Sequence, residues 1–301
     1  MSQRPTDHAA RGIGALILAC SIWGLAPLYY KAMGFVPPLE MLAHRTIWSM
    51  VVLGLYLVAQ GRFGDIARLI RSREWSIVLL GAVMISVNWY LFIRAIQSGY
   101  AVEASLGYYI FPIVAVLLGM LAFGERLRTP QTLAVALAGL AVMVLTYGLG
   151  VAPWMALVLA VTFGIYGLVK KRLSASPVAS VGAEVALMLP FAVVWFAVIQ
   201  FDGQGHFGAS WGTSLALAFS GLVTAVPLML LSYGSRRVSM AAYGLTQYLN
   251  PTLQFLCAVL VFQEPFTRWH LIAFALIWAA VGVFAISALR GLGIEAGDAP
   301  A

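Results

Sequence analysis

"GYYIFPIVAVLLGMLAFGE", residues 107–125, is almost wholly apolar, carries a proline in its interior and closes on Phe-x-Glu. "QYLNPTLQFLCAVLVFQE", residues 247–264, has the same layout: Pro112 answers to Pro251, Phe123 to Phe262 and Glu125 to Glu264, all 139 positions apart. Sliding residues 101–145 onto 240–284 gives thirteen identities in 45 positions, among them Leu106 with Leu245 and Tyr109 with Tyr248. Apolar bias raises such a score, but it does not generate the proline and glutamate matches. A shift of 140 also relates Trp23-Gly24 to Phe163-Gly164 and Lys31 to Lys171. The chain therefore reads as two copies of one unit.

Composition names the solvent around those copies. Of 301 residues, 62% are hydrophobic and 10% charged, where soluble domains carry roughly 25% charged residues. Most of the chain must lie in lipid. The net charge of +7 does not mark a nucleic-acid binder, because the basic residues fall in short runs between apolar segments and no basic, aromatic-laced groove is visible. Cys20 and Cys257, the only cysteines, each lie inside an apolar segment, which argues against a disulfide framework or a thiolate metal site. Ile17-Leu18-Ala19-Cys20 has the look of a lipoprotein signal, yet the apolar run continues to about Ala32 and has a counterpart in the second half. The first segment is therefore expected to stay in the protein.

A helix crossing about 30 Å of hydrocarbon takes about 20 residues. Runs of that size fall at roughly 12–31, 38–60, 75–97, 102–123, 130–148, 151–169, 179–200, 211–233, 241–262 and 269–289. They are too continuously apolar for alternating barrel strands, and lipid permits no unpaired backbone group, so helices are required. The expected fold is an all-α polytopic membrane protein of ten transmembrane helices. With the N-terminus inside, fourteen of the eighteen Lys and Arg fall on the cytoplasmic side, and only Lys31 and Arg268 fall clearly outside. That bias puts both termini in the cytoplasm. Five spans per half force the second half to enter from the opposite side, an inverted repeat of the kind found in many secondary transporters. The units are residues 1–149 and 150–290, with 291–301 as a polar cytoplasmic tail.

Proline in the middle of the fourth and ninth segments removes a backbone donor and bends the helix at mid-depth. Matching interruptions in the two halves point to a solute pocket there. Its expected lining is Asn88, Trp89, Tyr108, Tyr109, Pro112, Gln247, Tyr248, Asn250 and Pro251. These offer donors, acceptors and aromatic faces, a set that suits an amphipathic or zwitterionic small molecule better than a phosphate. Trp23, Trp48 and Tyr30 read as interfacial aromatics.

Charged groups within a span are costly unless they face a cavity or a partner. His44, Arg45, Arg94, Glu103 and Glu184 are the candidates for gating or coupling. Glu103 could pair with Arg45 or Arg94 in an outer gate, or simply complement the dipole of its helix. Glu184 stands between Ala183 and Val185 with no cation close in sequence, so it is a candidate carrier of a coupling proton or a neutral structural carboxyl. Glu125, Arg126 and Glu264 read as loop-side ion pairs or caps.

"SIWGLAPLYYK" (21–31), "EMLAHRTIWS" (40–49), "NWYLFI" (88–93), "EASLGYYIFP" (103–112), "FGER" (123–126) and "TAVPL" (224–228) together resemble the RarD branch of the EamA family, in the drug/metabolite transporter superfamily. The resemblance covers nearly the whole chain. It implies a multi-pass carrier of the bacterial inner membrane with two EamA-type repeats, a central cavity and alternating access, exporting drugs or metabolites. The chain departs from the family pattern at Phe111, where Asn is expected and Asn250 holds the mirror site, and at Arg94, where Trp is expected. No cofactor is implied, and the partners are the lipid bilayer and a small organic solute. No P-loop occurs, which excludes ATP drive from this chain. The competing readings are an integral membrane enzyme acting on a lipid-linked substrate and a small-solute channel. Against the enzyme, the chain has no H-E-x-x-H and no metal-spaced set among its four histidines.

Overall fold

The computed structural model describes residues 5–123, 129–150, 152–238 and 240–297. They form twelve α-helices and, among the described residues, no strand. In chain order these are α1 (Pro5–Ala32), α2 (Pro38–Ala59), α3 (Gly64–Ile70), α4 (Trp75–Gln97), α5 (Ala101–Phe123), α6 (Thr129–Leu149), α7 (Trp154–Arg172), α8 (Pro177–Phe201), α9 (Trp211–Ser235), α10 (Met240–Gln247), α11 (Leu249–Leu256) and α12 (Arg268–Gly297). Local chemistry sets several starts. Pro38 opens α2 in the first turn, where its missing N–H is harmless, and Ser210 caps α9 by accepting the Thr213 N–H at 3.1 Å. Eight helices, α1, α2 and α4 to α9, are long and apolar enough to span a membrane. Their exposed faces carry large apolar side chains such as Leu121, Phe191, Phe201 and Trp211, a surface that only lipid can cover.

Three features depart from the even ladder of ten spans. The loop after α2 contains the short helix α3, seated by buried Ile66 and Leu69. The last helix runs on to Gly297, so the first residues of the expected tail are helical. The ninth segment is not one helix: it breaks at Tyr248, resumes as α11 and ends in a π-helical turn over Cys257–Val261.

The two prolines thus behave differently. Pro112 sits inside a continuous α5, whereas the segment holding Pro251 comes apart three residues earlier. Thr252 is one local difference between them. Its N–H makes the ordinary helical bond to the Tyr248 carbonyl at 3.2 Å and its hydroxyl adds a second bond to the same oxygen at 2.6 Å, while the carbonyl that Pro251 leaves without an N–H is that of Gln247. The residue at the equivalent place in α5 is Ile113, which has no donor to offer. The second break ends cleanly: Phe262 N–H reaches back to Cys257 O at 2.9 Å, and Gln263 takes a left-handed φ of 54° before Pro265 stops the helix.

The main helix contacts all join a helix before residue 150 to one after it. α5 lies on α7 and α11 on α1; α4 lies on α7 and α9 on α1; α2 lies on α9 and α4 on α8; α2 meets α8, and α6 meets α12. The large core between them runs from Tyr30 and Met41 through Phe92, Leu106 and Tyr109 to Leu159 and Phe274. In a membrane such contacts depend on small residues that let backbones approach. Gly107 of α5 is such a point, since a Cβ there would lie 2.7 Å from Ala156 O and 3.0 Å from Leu159 Cβ. Gly107→Ala should push α5 off α7 and lower stability by about 1–3 kcal/mol. Thermal unfolding in detergent would read this as a reduced Tm with helix content unchanged at low temperature.

Candidate functional site

Polar groups at depth gather on two faces of α5. Tyr108 and Tyr109 are neighbours in sequence and point apart. Tyr108 donates to Asn88 Oδ1 of α4 at 2.8 Å, while Tyr109 shares a 2.6 Å hydrogen bond with Thr252 of α11 and packs against Phe274 and Trp278 of α12. The nine residues expected to line one pocket are therefore divided. Asn88, Trp89 and Tyr108 stand on the α4–α7 side. Tyr109, Gln247, Tyr248, Asn250 and Pro251 belong to the broken segment's side, and Pro112 lies within α5 between the two groups.

Asn88 itself is fully engaged. It is wholly buried, accepts from Tyr108 and donates at 3.0 Å to both the Leu159 carbonyl and the Thr162 hydroxyl of α7. Every strong hydrogen-bonding position but one is used, so Asn88 acts as a three-helix strut, with no group spare for a solute. On the other side, Gln254 donates to Asn250 Oδ1 at 2.8 Å, while the buried Gln247 amide nitrogen has no partner.

Arg45, in the first half of α2, is 4% exposed. Its Nη1 donates to the Tyr30 hydroxyl at 2.5 Å, its Cζ stacks 3.9 Å over the Trp89 ring, and its Nε has no partner. Among the described residues it has no ion pair with Glu103 or any other carboxylate. A guanidinium at such depth costs about 3 kcal/mol on insertion scales, and the Trp89 face offsets part of that.

Glu184 answers it in the first half of α8. The carboxylate is 1% exposed and takes Lys170 Nζ at 2.5 Å, the Tyr166 hydroxyl at 3.0 Å and the Ser180 hydroxyl at 3.3 Å. Lys170 also donates to Ser180 at 2.6 Å. The sequence reading set Lys170 aside as a loop charge; in the fold it ends α7 and turns back onto α8. A narrow cleft above this cluster, between α2, α4 and α8, is lined by Thr46, Ile85, Ser86, Trp89, Val185 and Met188, with Glu184 in its wall.

A row of rings links the two charged stations. Tyr30 touches Phe92 edge-on at 6.0 Å, Phe92 meets Tyr108 at 5.6 Å, Tyr108 meets Phe163 at 5.5 Å, and Phe163 meets Tyr166 at 5.9 Å. The row begins at the hydroxyl that binds Arg45 and ends at the hydroxyl that binds Glu184.

At one end of the bundle the two halves of the chain are tied twice. Glu40 of α2, 2% exposed, accepts the His206 backbone N–H at 2.7 Å and faces His206 Nδ1 at 2.8 Å. His44, one turn further on, stands 3.9 Å from Glu40 and stacks on Phe207 at 5.3 Å. Glu264, after the π-helical turn, accepts the N–H groups of Ala101 and Val102 at 2.9 and 2.8 Å, capping the start of α5 from far away in sequence. Glu103 lies in the same neighbourhood as Glu264 and not against a cation, and Arg94 is exposed. Among the described residues the charge contacts at this end are Glu40–His206 and Glu264–α5; Glu103 pairs with neither Arg45 nor Arg94 and keeps its place in the first turn of α5. Glu125 and Arg126 lie outside the described residues.

Residues 10–147 and again 151–287 match the EamA-like transporter family. The chain belongs to the EamA family. Within it the chain is RarD-like: it is 42% identical over 276 residues to Protein RarD of Streptomyces exfoliatus, covering 90% of this chain and 87% of that one. It is 36% identical over 281 residues to Protein RarD of Escherichia coli (93% and 95%) and 37% identical over 286 residues to an uncharacterized transporter of Vibrio cholerae (94% and 95%). A crystal structure matches with a TM-score of 0.60 at 21% identity, over 90% of this chain and 96% of the other, a likeness of fold alone. This EamA protein is a multi-pass membrane transporter.

Glu40, His206, Lys170 and Tyr166 were missed among the site residues. One signal for Lys170 was present, since the repeat shift of 140 places it opposite Tyr30, the partner of Arg45. Lys170→Met should leave Glu184 charged and uncompensated, costing about 3 kcal/mol, the low end of the range because Lys170 is a quarter exposed. The double variant with Glu184→Leu should recover most of that Tm loss, a result that would separate pair loss from simple packing damage.

Proposed function

We propose that this transporter is a secondary carrier of the bacterial inner membrane, exporting a small amphipathic organic solute by alternating access. Its ten membrane segments act as two five-segment units, 1–149 and 150–290, inserted in opposite senses with both termini cytoplasmic. The observation that carries the reading is the exchange symmetry of the packing. Replacing each helix by its repeat counterpart turns the α5–α7 contact into α11–α1, the α4–α7 contact into α9–α1 and the α2–α9 contact into α8–α4, each of which occurs. Two interleaved units of one design have two equivalent arrangements, one open to each side. The double match to one family and the fourteen-to-two charge bias support the same reading.

Export is supported by where the ties lie. The ends of the two units that the charge bias puts outside are held together by Glu40–His206 and Glu264–α5, whereas the narrow cleft, with room for about one water, lies deeper between α2, α4 and α8. A solute would load from the cytoplasmic side and leave when the outer ties part. Asn88, Tyr108, Tyr109 and Pro112, with Gln247, Tyr248, Asn250 and Pro251, form the mid-membrane frame that shifts between the two arrangements. His44, Arg45, Arg94, Glu103 and Glu184 supply the charges that respond.

Glu40→Ala should loosen the outer closure. In a Ser86→Cys protein lacking Cys20 and Cys257, externally added impermeant maleimide should then label position 86 severalfold faster. Proteoliposomes loaded with drugs, amino acids or metabolites, with and without a pH gradient, test the carrier itself. Saturable, trans-stimulated counterflow is expected; unsaturable conductance would instead mean a channel, and chemical conversion of a lipid-linked substrate an enzyme.

A further inference from the structure

Arg45 is the one deeply buried cation of the described membrane segments with no anion beside it. Of the described carboxylates, Glu40 holds His206, Glu184 holds Lys170 and Glu264 holds two backbone amides, and Glu103 makes no ion pair with Arg45. Arg45 keeps its charge at any accessible pH and carries five donors in a planar fork. One of them is bonded, to the Tyr30 hydroxyl, and Nε faces no acceptor at all. The guanidinium plane is fixed against Trp89 at 3.9 Å, and the same Trp89 forms part of the wall of the cleft.

A chain gains nothing by holding such a group unpaired in the membrane unless a partner arrives. We propose that Arg45 is the receptor for a carboxylate carried by the transported solute, whose planar apolar body takes the cleft beside Trp89 once that cleft widens. This deepens the carrier reading and rests on it for the word transported, though not for the binding site. One guanidinium with no second cation nearby matches a singly charged, two-oxygen anion, which it can grip with paired N–H bonds. A phosphate dianion would leave charge uncompensated. The aromatic faces on both sides of the site favour an arylacetate or similar carboxylate over an aliphatic one.

The discrimination expected is that of a site built for a charged acceptor. Replacing the carboxylate by the isosteric amide leaves the Arg45 donors half-satisfied, a loss of about tenfold to a hundredfold in affinity. Purified protein in detergent would be titrated with phenylacetate and phenylacetamide, and with indole-3-acetate and its amide, following intrinsic tryptophan fluorescence and Tm. Wild type should bind each acid at least about tenfold more tightly than its amide. Arg45→Gln should lose that preference, and Arg45→Lys, which keeps the charge but not the fork or the stacking, should retain part of it. Equal binding of acid and amide by wild type, binding of neither, or an undiminished preference in folded Arg45→Gln would each overturn the assignment. Should Arg45→Gln fail to fold, the wild-type comparison and Arg45→Lys decide alone. Counterflow with the same compounds separates the two readings: movement of neutral solutes with no acid preference removes the carboxylate site and keeps the carrier, while acid-selective binding without counterflow of any solute does the reverse.

Discussion

Hydrocarbon offers no hydrogen bond and screens no charge, and the rest of this structure depends on that constraint. Every polar group placed below the membrane surface must find its partner within the protein. The backbone meets the demand by coiling, so the described residues are helical. Side chains meet it by reaching across helices: Asn88 binds α5 and α7 from α4, Lys170 turns inward to Glu184, and Glu264 closes the exposed amides of α5. These bonds also decide which helices may be neighbours. Packing of apolar surface alone would leave the order of helices loosely specified, because lipid is as apolar as leucine.

Much of the fold was legible because lipid imposes one strong pattern on sequence. Eight of the ten apolar runs are helices long and apolar enough to span a membrane. The repeat around Pro112 and Pro251 was readable for the same reason, since proline and glutamate are rare enough in such runs to stand out. What failed was the inference from equal residues to equal shape. Pro112 leaves α5 whole while the helix around Pro251 is interrupted at Tyr248, so the same residue at matched positions does not give the same local geometry.

The site was less legible, and for a geometric reason. Tyr108 and Tyr109 were assigned to one lining, yet consecutive residues on a helix point about 100° apart, and α5 is sandwiched so that each meets a different set of helices. Charges misled in the opposite way. Lys170 counts as a loop residue by position, but a lysine stem can carry its ammonium back along the helix to a buried acid. Glu40 and His206 are 166 positions apart, and nothing local in either stretch predicts the other. The aromatic row from Tyr30 to Tyr166 draws on α1, α4, α5 and α7 and could not be assembled before those helices were placed.

The reach of Glu264 has a mechanical consequence. The carboxylate is borne by one half of the chain and the two amides by the other, and neither can be left bare in oil. Sliding the seam by an ångström or two would forfeit both bonds at once without a substitute within range. The junction therefore behaves like a press-stud: mated or parted, with no resting place between, so that whatever loosens it releases the first turn of α5 in a single snap.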